Sequence, residues 1–207
     1  MPDTDRRSSI MEHAAALFAE KGINASTVRE IAGAAGILSG SLYHHFDSKD
    51  AIVETIVAEY LRALTQRYTD VVLAHSDPGA RLHDLVLVSL QVMHDHPHAS
   101  EIYQDNRDSF EGRERFRAVR ELASSVHRTW AEVIDSGVAA GVFRSDVNPR
   151  VFHRFLRDAV FLAARWHLPT EIYRIEDLAD DTARIFLDGF SARAQPAGRP
   201  PVGRGNG

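Results

Sequence analysis

The stretch from Thr27 to Phe46 restricts the fold of this chain more than any other. It reads Thr27-Val28-Arg29-Glu30-Ile31-Ala32-Gly33-Ala34-Ala35-Gly36-Ile37-Leu38-Ser39-Gly40-Ser41-Leu42-Tyr43-His44-His45-Phe46. A threonine followed three places later by glutamate is a capping box: each side chain satisfies a backbone N–H of the other, so a helix starts there. Val28, Ile31, Ala32 and Ala35 give that helix an apolar stripe, and Gly36 supplies the turn. Ser39 is placed to cap a second short helix through Phe46. Two short helices joined by a tight glycine turn make a helix-turn-helix. Ala32 and Gly36 are small where the helices cross, and Ile31, Ile37, Leu42 and Phe46 anchor the unit. Ser39, Gly40, Ser41, Tyr43, His44 and His45 are left facing outward. These short or polar groups suit the phosphates and base edges of a major groove. The competing explanation is an ordinary helical hairpin, whose small residues serve packing alone. It leaves unexplained an outer face poor in acids, and Lys49 at the start of the next helix, where a cation opposes the macrodipole and asks for a partner anion.

Helical signals recur along the rest of the chain and strand signals are scarce. A first helix is expected over Ser8 to Lys21, with Ile10, Ala14, Leu17 and Phe18 on one side and Gly22 as its stop. Asp47 with Asp50 is expected to cap a long helix from Ser48 to Ala74. Asp77-Pro78 and Asn148-Pro149 each place a capping residue before a proline at the first helical position. The helices they open are expected to end near His94–Pro97 and before Pro169. Further helices are expected over Ala99–Arg107, Arg113–Ala140 and Ile175–Ala192. Glu176, Asp177, Asp180 and Asp181 sit at the positive end of the last, whose stripe of Leu178, Ile185, Phe186 and Phe190 suits core or dimer packing. The fold class is therefore all-α, about nine helices. The domains read as a flexible arm over 1–7, a helix-turn-helix domain over 8–47, a second helical domain over 48–194 and a disordered Pro/Gly/Arg-rich tail over 195–207.

Bulk charge does not help the DNA reading. The formal net charge is -5, and residues 1–50 carry Arg6, Arg7, Lys21, Arg29 and Lys49 against a larger number of acids. Only the placement of individual residues supports that reading. There are no cysteines, which excludes disulfides, thiol nucleophiles and thiolate metal sites, and suits a cytoplasmic protein. The N-terminus reads as a poor signal peptide, and no stretch approaches a bilayer-spanning apolar run.

Thr27-Val28-Arg29-Glu30-Ile31-Ala32, Gly36-Ile37, Ser41-Leu42-Tyr43-His44-His45-Phe46 and Ser48-Lys49 together resemble the DNA-binding signature of the TetR family of regulators. The likeness spans about residues 8–55. It implies a three-helix DNA-binding domain followed by a helical domain for dimerisation and ligand. It implies that Thr27 and Lys49 hold phosphates, that Tyr43 and His44 contact the backbone, and that Ser39, Gly40 and Ser41 approach bases, with His45 also facing the DNA. Arg6 and Arg7 would form an arm on phosphates. It also implies a two-fold dimer on a pseudo-palindromic duplex, with the protein associated with the nucleoid. The second helix lacks Arg, Asn and Gln, so specificity is expected to lean on DNA shape.

The helix after Pro149 is unusual. Phe152, Phe155, Leu156, Ala159 and Ala163 form one apolar face, while His153, Arg157, Phe161 and Arg165 recur at steps of four on another. Helix geometry puts Phe161 roughly 180° from Phe152, between two arginines. Such a face suits a pocket for a ligand with an apolar body and anionic groups. The alternative is that Arg157 and Arg165 are surface charges paired with Asp158 or neighbouring acids. Ile102-Tyr103-Gln104-Asp105 and Arg154-Phe155-Leu156-Arg157-Asp158 with Arg165-Trp166, together with residues 36–46, resemble TetR-type repressors of steroid (cholesterol) ring catabolism, which respond to a CoA thioester of a partly degraded steroid nucleus. The likeness implies a repressor with an acyl-CoA effector. Arg157 and Arg165 would lie near the CoA phosphates, and Phe161, Tyr103, Gln104 and Trp166 near the effector body.

Other classes are weighed by what they lack. His94, His96 and His98 beside Asp95 look like metal ligands, but Pro97 breaks the helical spacing, so a solvated loop, or a loop that meets the ligand, is expected and no metal. An enzyme would need a phosphate loop, a nucleophile elbow or paired acids, and none can be placed. No cofactor is implied. An architectural DNA-binding protein without an effector remains as a third reading.

Overall fold

The computed structural model describes residues 3–166 and 169–190, so the tail expected over 195–207 lies outside the described residues. Among these it holds nine α-helices and no strand. They are α1 (Asp3–Lys21), α2 (Val28–Ala34), α3 (Ser39–Leu42), α4 (Lys49–Ala74), α5 (Pro78–Asp95), α6 (Pro97–Asn106), α7 (Arg117–Ala139), α8 (Pro149–Trp166) and α9 (Ile175–Phe190). Two 3-10 turns, Arg107–Phe110 and Glu114–Phe116, join α6 to α7. The all-α expectation holds.

Three local differences have physical reasons. First, α1 starts at Asp3, so Arg6 and Arg7 lie on a helix within the span 1–7 expected as a flexible arm, of which residues 1 and 2 lie outside the described residues. Arg7 is held there: its guanidinium lies 4.6 Å from the Phe46 ring centre and donates to Thr55 Oγ1 at 3.5 Å. Second, Ser48, not Asp47 with Asp50, caps α4, its hydroxyl accepting from the Ala51 N–H at 3.1 Å. Asp47 and Asp50 instead accept from Arg115 and Arg113 of the 3-10 segment. Third, α3 is capped at Leu38 with no side-chain hydrogen bond and ends at Leu42, so Ser39 is its first residue, not its cap.

The long α4 is the spine. Its first turns pack on α1, and its later turns, with Leu61, Leu64 and Tyr68 fully buried, pack on α5 and α7. A buried polar chain fixes this centre. Trp130 Nε1 donates to the Tyr68 hydroxyl at 3.0 Å, that hydroxyl shares a 2.6 Å bond with Ser89, and Ser89 donates to the Leu85 carbonyl. Burial pushes the Tyr68 hydroxyl up to about 12, so it stays neutral. Pro97 ends α5 and opens α6, because it has no N–H and its ring clashes with the preceding turn. α8 and α9 pack against α5.

Candidate DNA-reading head and effector cavity

The capping box at Thr27 is complete. The Thr27 N–H donates to Glu30 Oε2 at 2.9 Å, and the Glu30 N–H donates to Thr27 Oγ1 at 3.2 Å. Lys21 at the end of α1 pairs with Glu30 at 3.1 Å. The Thr27 hydroxyl and then Lys21 hold the Glu30 carboxyl down to about 2. Gly36 sits at φ +65, a conformation L side chains rarely adopt, and so makes the turn between α2 and α3. Ile31, Ala32, Leu42 and Phe46 are buried beneath it, as their sequence pattern requires.

Above this base, Gly40, Tyr43 and His44 are exposed, and Ser39, Ser41 and His45 are half-buried. Gly40 has open space where a Cβ would stand, so nothing within the protein requires a glycine there. Leu38, overlooked in the sequence pattern, is 82% exposed at the head of α3. Its only sequence signal was an apolar residue out of step with the buried ones.

Lys49 receives a role the sequence pattern did not suggest. Its Nζ donates to the Ile23 carbonyl at 2.6 Å and the Ser26 carbonyl at 2.8 Å. This explains a cation in the first turn of α4 without an external anion. It ties the loop between α1 and α2 to the spine.

The second half holds two cavities that share Gln104. The smaller, about 180 Å³, lies between α4, α6, α7 and α8, with Leu61, Leu64, Val126 and Phe161 as apolar wall and Tyr103, Gln104, Arg107, His127 and Arg157 as polar groups. Phe161, the odd aromatic between arginines, is thus 9% exposed in a cavity wall and not on a solvated face. Arg157 pairs with Asp158 at 2.7 Å, yet it is no surface charge: it lines the cavity with its side chain only 16% exposed.

The larger cavity, about 560 Å³, lies between α5, α6, α8 and α9. Met93, Pro97, Ile175 and Leu178 give it apolar walls, and Gln104 and Arg165 are among its polar groups. Arg165 is therefore not beside Arg157 as expected: it pairs with Asp105 of α6 and faces the other cavity. His94 also lines this cavity, and among the described residues no group of His, Asp or Glu is arranged to hold a metal ion. Trp166, expected beside the effector, lines neither cavity. It is 67% exposed and continues an outward stripe of Val151, Phe155 and Leu162 on α8. Phe155 thus leaves the apolar face on which the sequence pattern placed it with Phe152, Leu156 and Ala163, which are buried.

Sequence reasoning missed a cleft of about 400 Å³ beside the smaller cavity, lined by Arg107, His127, Arg150, His153, Arg154 and Arg157. The signal was available on α8: residues 150, 153, 154, 157 and 161 share one helical face. The contributions from α6 and α7 were not available. Burial, and then the Arg157 charge, push both His127 and His153 down to about 4, so both are neutral near pH 7.

Comparison with known proteins agrees with this anatomy. Residues 10–56 match the family described as bacterial regulatory proteins, tetR family, and residues 75–190 match a tetracyclin repressor-like C-terminal domain. The chain is 41% identical over 187 residues to the HTH-type transcriptional repressor KstR2 of Rhodococcus jostii, covering 90% of this chain and 92% of that one. It is 36% identical over 186 residues to KstR2 of Mycobacterium tuberculosis, covering 90% and 93%. The solved structure of that ketosteroid transcriptional regulator superposes with a TM-score of 0.84 over 91% of this chain and 96% of the other. AibR, solved with isovaleryl coenzyme A and operator DNA, shares the fold at 19% identity and a TM-score of 0.75, covering 87% and 97%. The chain belongs to the TetR family: it is a DNA-binding transcriptional repressor and not an enzyme, and it closely resembles the KstR2 repressors.

Proposed function

We propose that this repressor controls genes of steroid breakdown, and that an acyl-CoA thioester of a steroid-derived acid releases it from its operator. The observation that carries this reading is the junction of two unlike spaces. An apolar cavity walled by Leu61, Leu64, Val126 and Phe161 shares Arg107, His127 and Arg157 with an arginine-lined cleft. An effector with an apolar body and a multiply charged end matches that pair. A body too large for about 180 Å³ extends past Gln104 into the larger cavity and toward Arg165. A protein of the same fold, AibR, is solved with isovaleryl coenzyme A, which supports this ligand class.

On the DNA side, α3 enters the major groove. Gly40 lets its backbone approach, Ser39 and Ser41 meet base edges, and Leu38 packs on a thymine methyl group. Tyr43, His44, His45, Thr27, Arg6 and Arg7 meet the sugar–phosphate backbone, and any third contact of Lys49 goes there too. The exposed stripe Val151, Phe155, Leu162 and Trp166 of α8, with exposed Ile185 of α9, is the two-fold dimer surface. The dimer would hold two copies of α3 about one DNA turn, ~34 Å, apart on a pseudo-palindrome in the nucleoid. The effector binds a spacing that no longer fits, and release follows from its differential affinity for the two states. No described helix is long and apolar enough to cross a membrane.

A gel shift on the gene's own upstream region, titrated with steroid-derived and fatty acyl-CoAs, tests this. The expected result is release by the steroid-derived thioesters at the lowest concentration. An operator complex left intact by every CoA thioester, with no thermal stabilisation of the free protein, overturns the effector assignment.

A further inference from the structure

The arginine-lined cleft contains a feature that a purely electrostatic anion site would not need. Arg150, His153, Arg154 and Arg157 stand on one face of α8, Arg107 follows the end of α6, and His127 comes from α7. The two imidazole rings lie 6.0 Å apart, and His153 also stacks at 5.9 Å on buried Trp130. His153 Nε2 is buried and has no hydrogen-bond partner among the described residues. A buried polar atom without a partner is rare in folded proteins and points to a missing ion, water or ligand. In the tautomer with its proton on Nε2 the ring needs an acceptor there, which no arginine offers because guanidinium only donates, and a protonated imidazole would sit against like charges.

We propose that the cleft is a phosphoryl-binding subsite in which His127 and His153 each take up a proton from solvent as the anion enters, so that effector binding is coupled to pH. The inference rests on the acyl-CoA reading only for the identity of the anion's carrier. A phosphoryl group supplies what the cleft lacks. Its oxygens accept from the Nε2–H of His153 and offset the Arg157 charge that, after burial, holds both rings in their neutral form. The charged groups around the rings come from three elements. Arg107 lies beyond α6; Asp158 follows Arg157 on α8; Asp135 of α7 shares a neighbouring hollow with His153. Glu111 and Arg120 share another with His127. Burial first, and then the Arg157 charge, keep both rings unprotonated in the free protein, and the other arginines of the cleft outnumber its acids.

The sign follows from linkage. Both imidazoles start neutral, at about 4, and the bound anion raises them. Binding then takes up protons, so the Kd rises with pH between the free and bound values and levels off above the latter. A phosphate on the ligand gains charge over the same range and acts oppositely, so the slope is read as a difference between the wild type and His153→Gln. Glutamine keeps a donor at the site and cannot titrate.

The experiment measures Kd for coenzyme A, inorganic pyrophosphate and a steroid-derived acyl-CoA between about pH 5.5 and 8, where an imidazole changes charge. Alongside, imidazole NMR signals of the wild-type dimer are followed on addition of coenzyme A. The expected result is a wild-type Kd that climbs at least about threefold per pH unit more steeply than that of His153→Gln, for all three ligands. Imidazole resonances should move to their protonated positions on binding. Equal slopes in the two proteins with imidazoles that stay neutral overturn the proposal, even if the acyl-CoA still releases the operator. Steep slopes for pyrophosphate and coenzyme A, with no release by any acyl-CoA, sustain the subsite and overturn the effector assignment instead. Failure of all three anions to bind overturns both.

Discussion

The reading head and the effector half are built by different kinds of interaction. In the head, the decisive contacts are close in sequence: Thr27 with Glu30, Ser48 with Ala51, and Gly36 turning at φ +65. In the effector half they join residues far apart. Trp130 meets Tyr68 from 62 positions away, Arg165 meets Asp105 from 60, and Tyr60 meets Ser100 from 40. Local contacts leave a readable pattern in a sequence, because the chain geometry fixes which neighbours meet. Distant ones leave only residue types. The two halves should therefore respond differently to substitution.

The largest expected effect contrasts two glycines. A Cβ on Gly137 of α7 would lie 2.2 Å from the Phe143 ring, whereas Gly36 has open space and only its positive φ to defend. Gly137→Val should cost about 3 kcal/mol through overpacking. Gly36→Ala should cost about 1 kcal/mol through backbone strain alone. Urea unfolding followed by circular dichroism measures both, and equal midpoints would break the contrast.

Lys49 comes next, because it departs from the head's local character. Lys49→Met leaves the Ile23 and Ser26 carbonyls without their charged donor. A loss of about 2 kcal/mol is expected from two such bonds. Operator affinity measured against salt separates this from a phosphate role. A slope that falls by about one unit with unchanged stability would make Lys49 a DNA contact after all.

Within the effector half, Arg157→Met should weaken acyl-CoA binding about tenfold or more, the scale of a lost charge-assisted contact to a phosphate. Operator affinity without effector should stay unchanged, since the cavity is remote from α3. Calorimetry and gel shift read the two quantities separately.

The same contrast explains what could be read from the sequence. The helix-turn-helix, its capping box and its glycine turn were legible because each is a spacing rule. The all-α class was legible from caps and periodicity. The helical setting of Arg6 and Arg7 was not legible, because nothing in the first residues announces that Arg7 will lie over Phe46. Phe161 was legible as an anomaly on its own helix, but its partners Leu61, Leu64 and Val126 come from α4 and α7. Arg165 was grouped with Arg157 by helical spacing and Trp166 by family resemblance, yet they diverge, because α8 borders two cavities and an exposed face at once.

A smaller effect tests Leu38 in the head. Leu38→Ala removes an exposed side chain, so stability should hold while operator affinity falls about fourfold, the size of one or two lost methylene contacts. Replacing thymine by uracil at each operator position in turn should locate one position where the wild type loses affinity and Leu38→Ala does not. If no position behaves this way, Leu38 reads no methyl group.

The last and smallest effect concerns the seam between the halves. The 3-10 segment leaves the cavity at Arg107 and then reaches back to the head. Arg113 donates to Asp50, and Arg115 donates to Asp47 at 2.9 Å and to Glu54 at 3.4 Å. One end of this segment thus borders the effector site, and the other grips the first turns of α4, which follows α3 in the chain. Exposed ion pairs add little to stability, so the double substitution Arg113→Ala/Arg115→Ala should leave unfolding nearly unchanged. It should also leave operator and effector affinities within a few-fold of wild type when each is measured alone. What should fall, by about threefold, is the factor by which effector weakens operator binding, because that factor is a coupling between sites and not a property of either. The reciprocal measurement, effector affinity with and without operator, must fall by the same factor if the segment carries the coupling. An unchanged factor in both directions would show that the halves communicate through α4 packing on α7 instead, and that the arginine grip only positions the head.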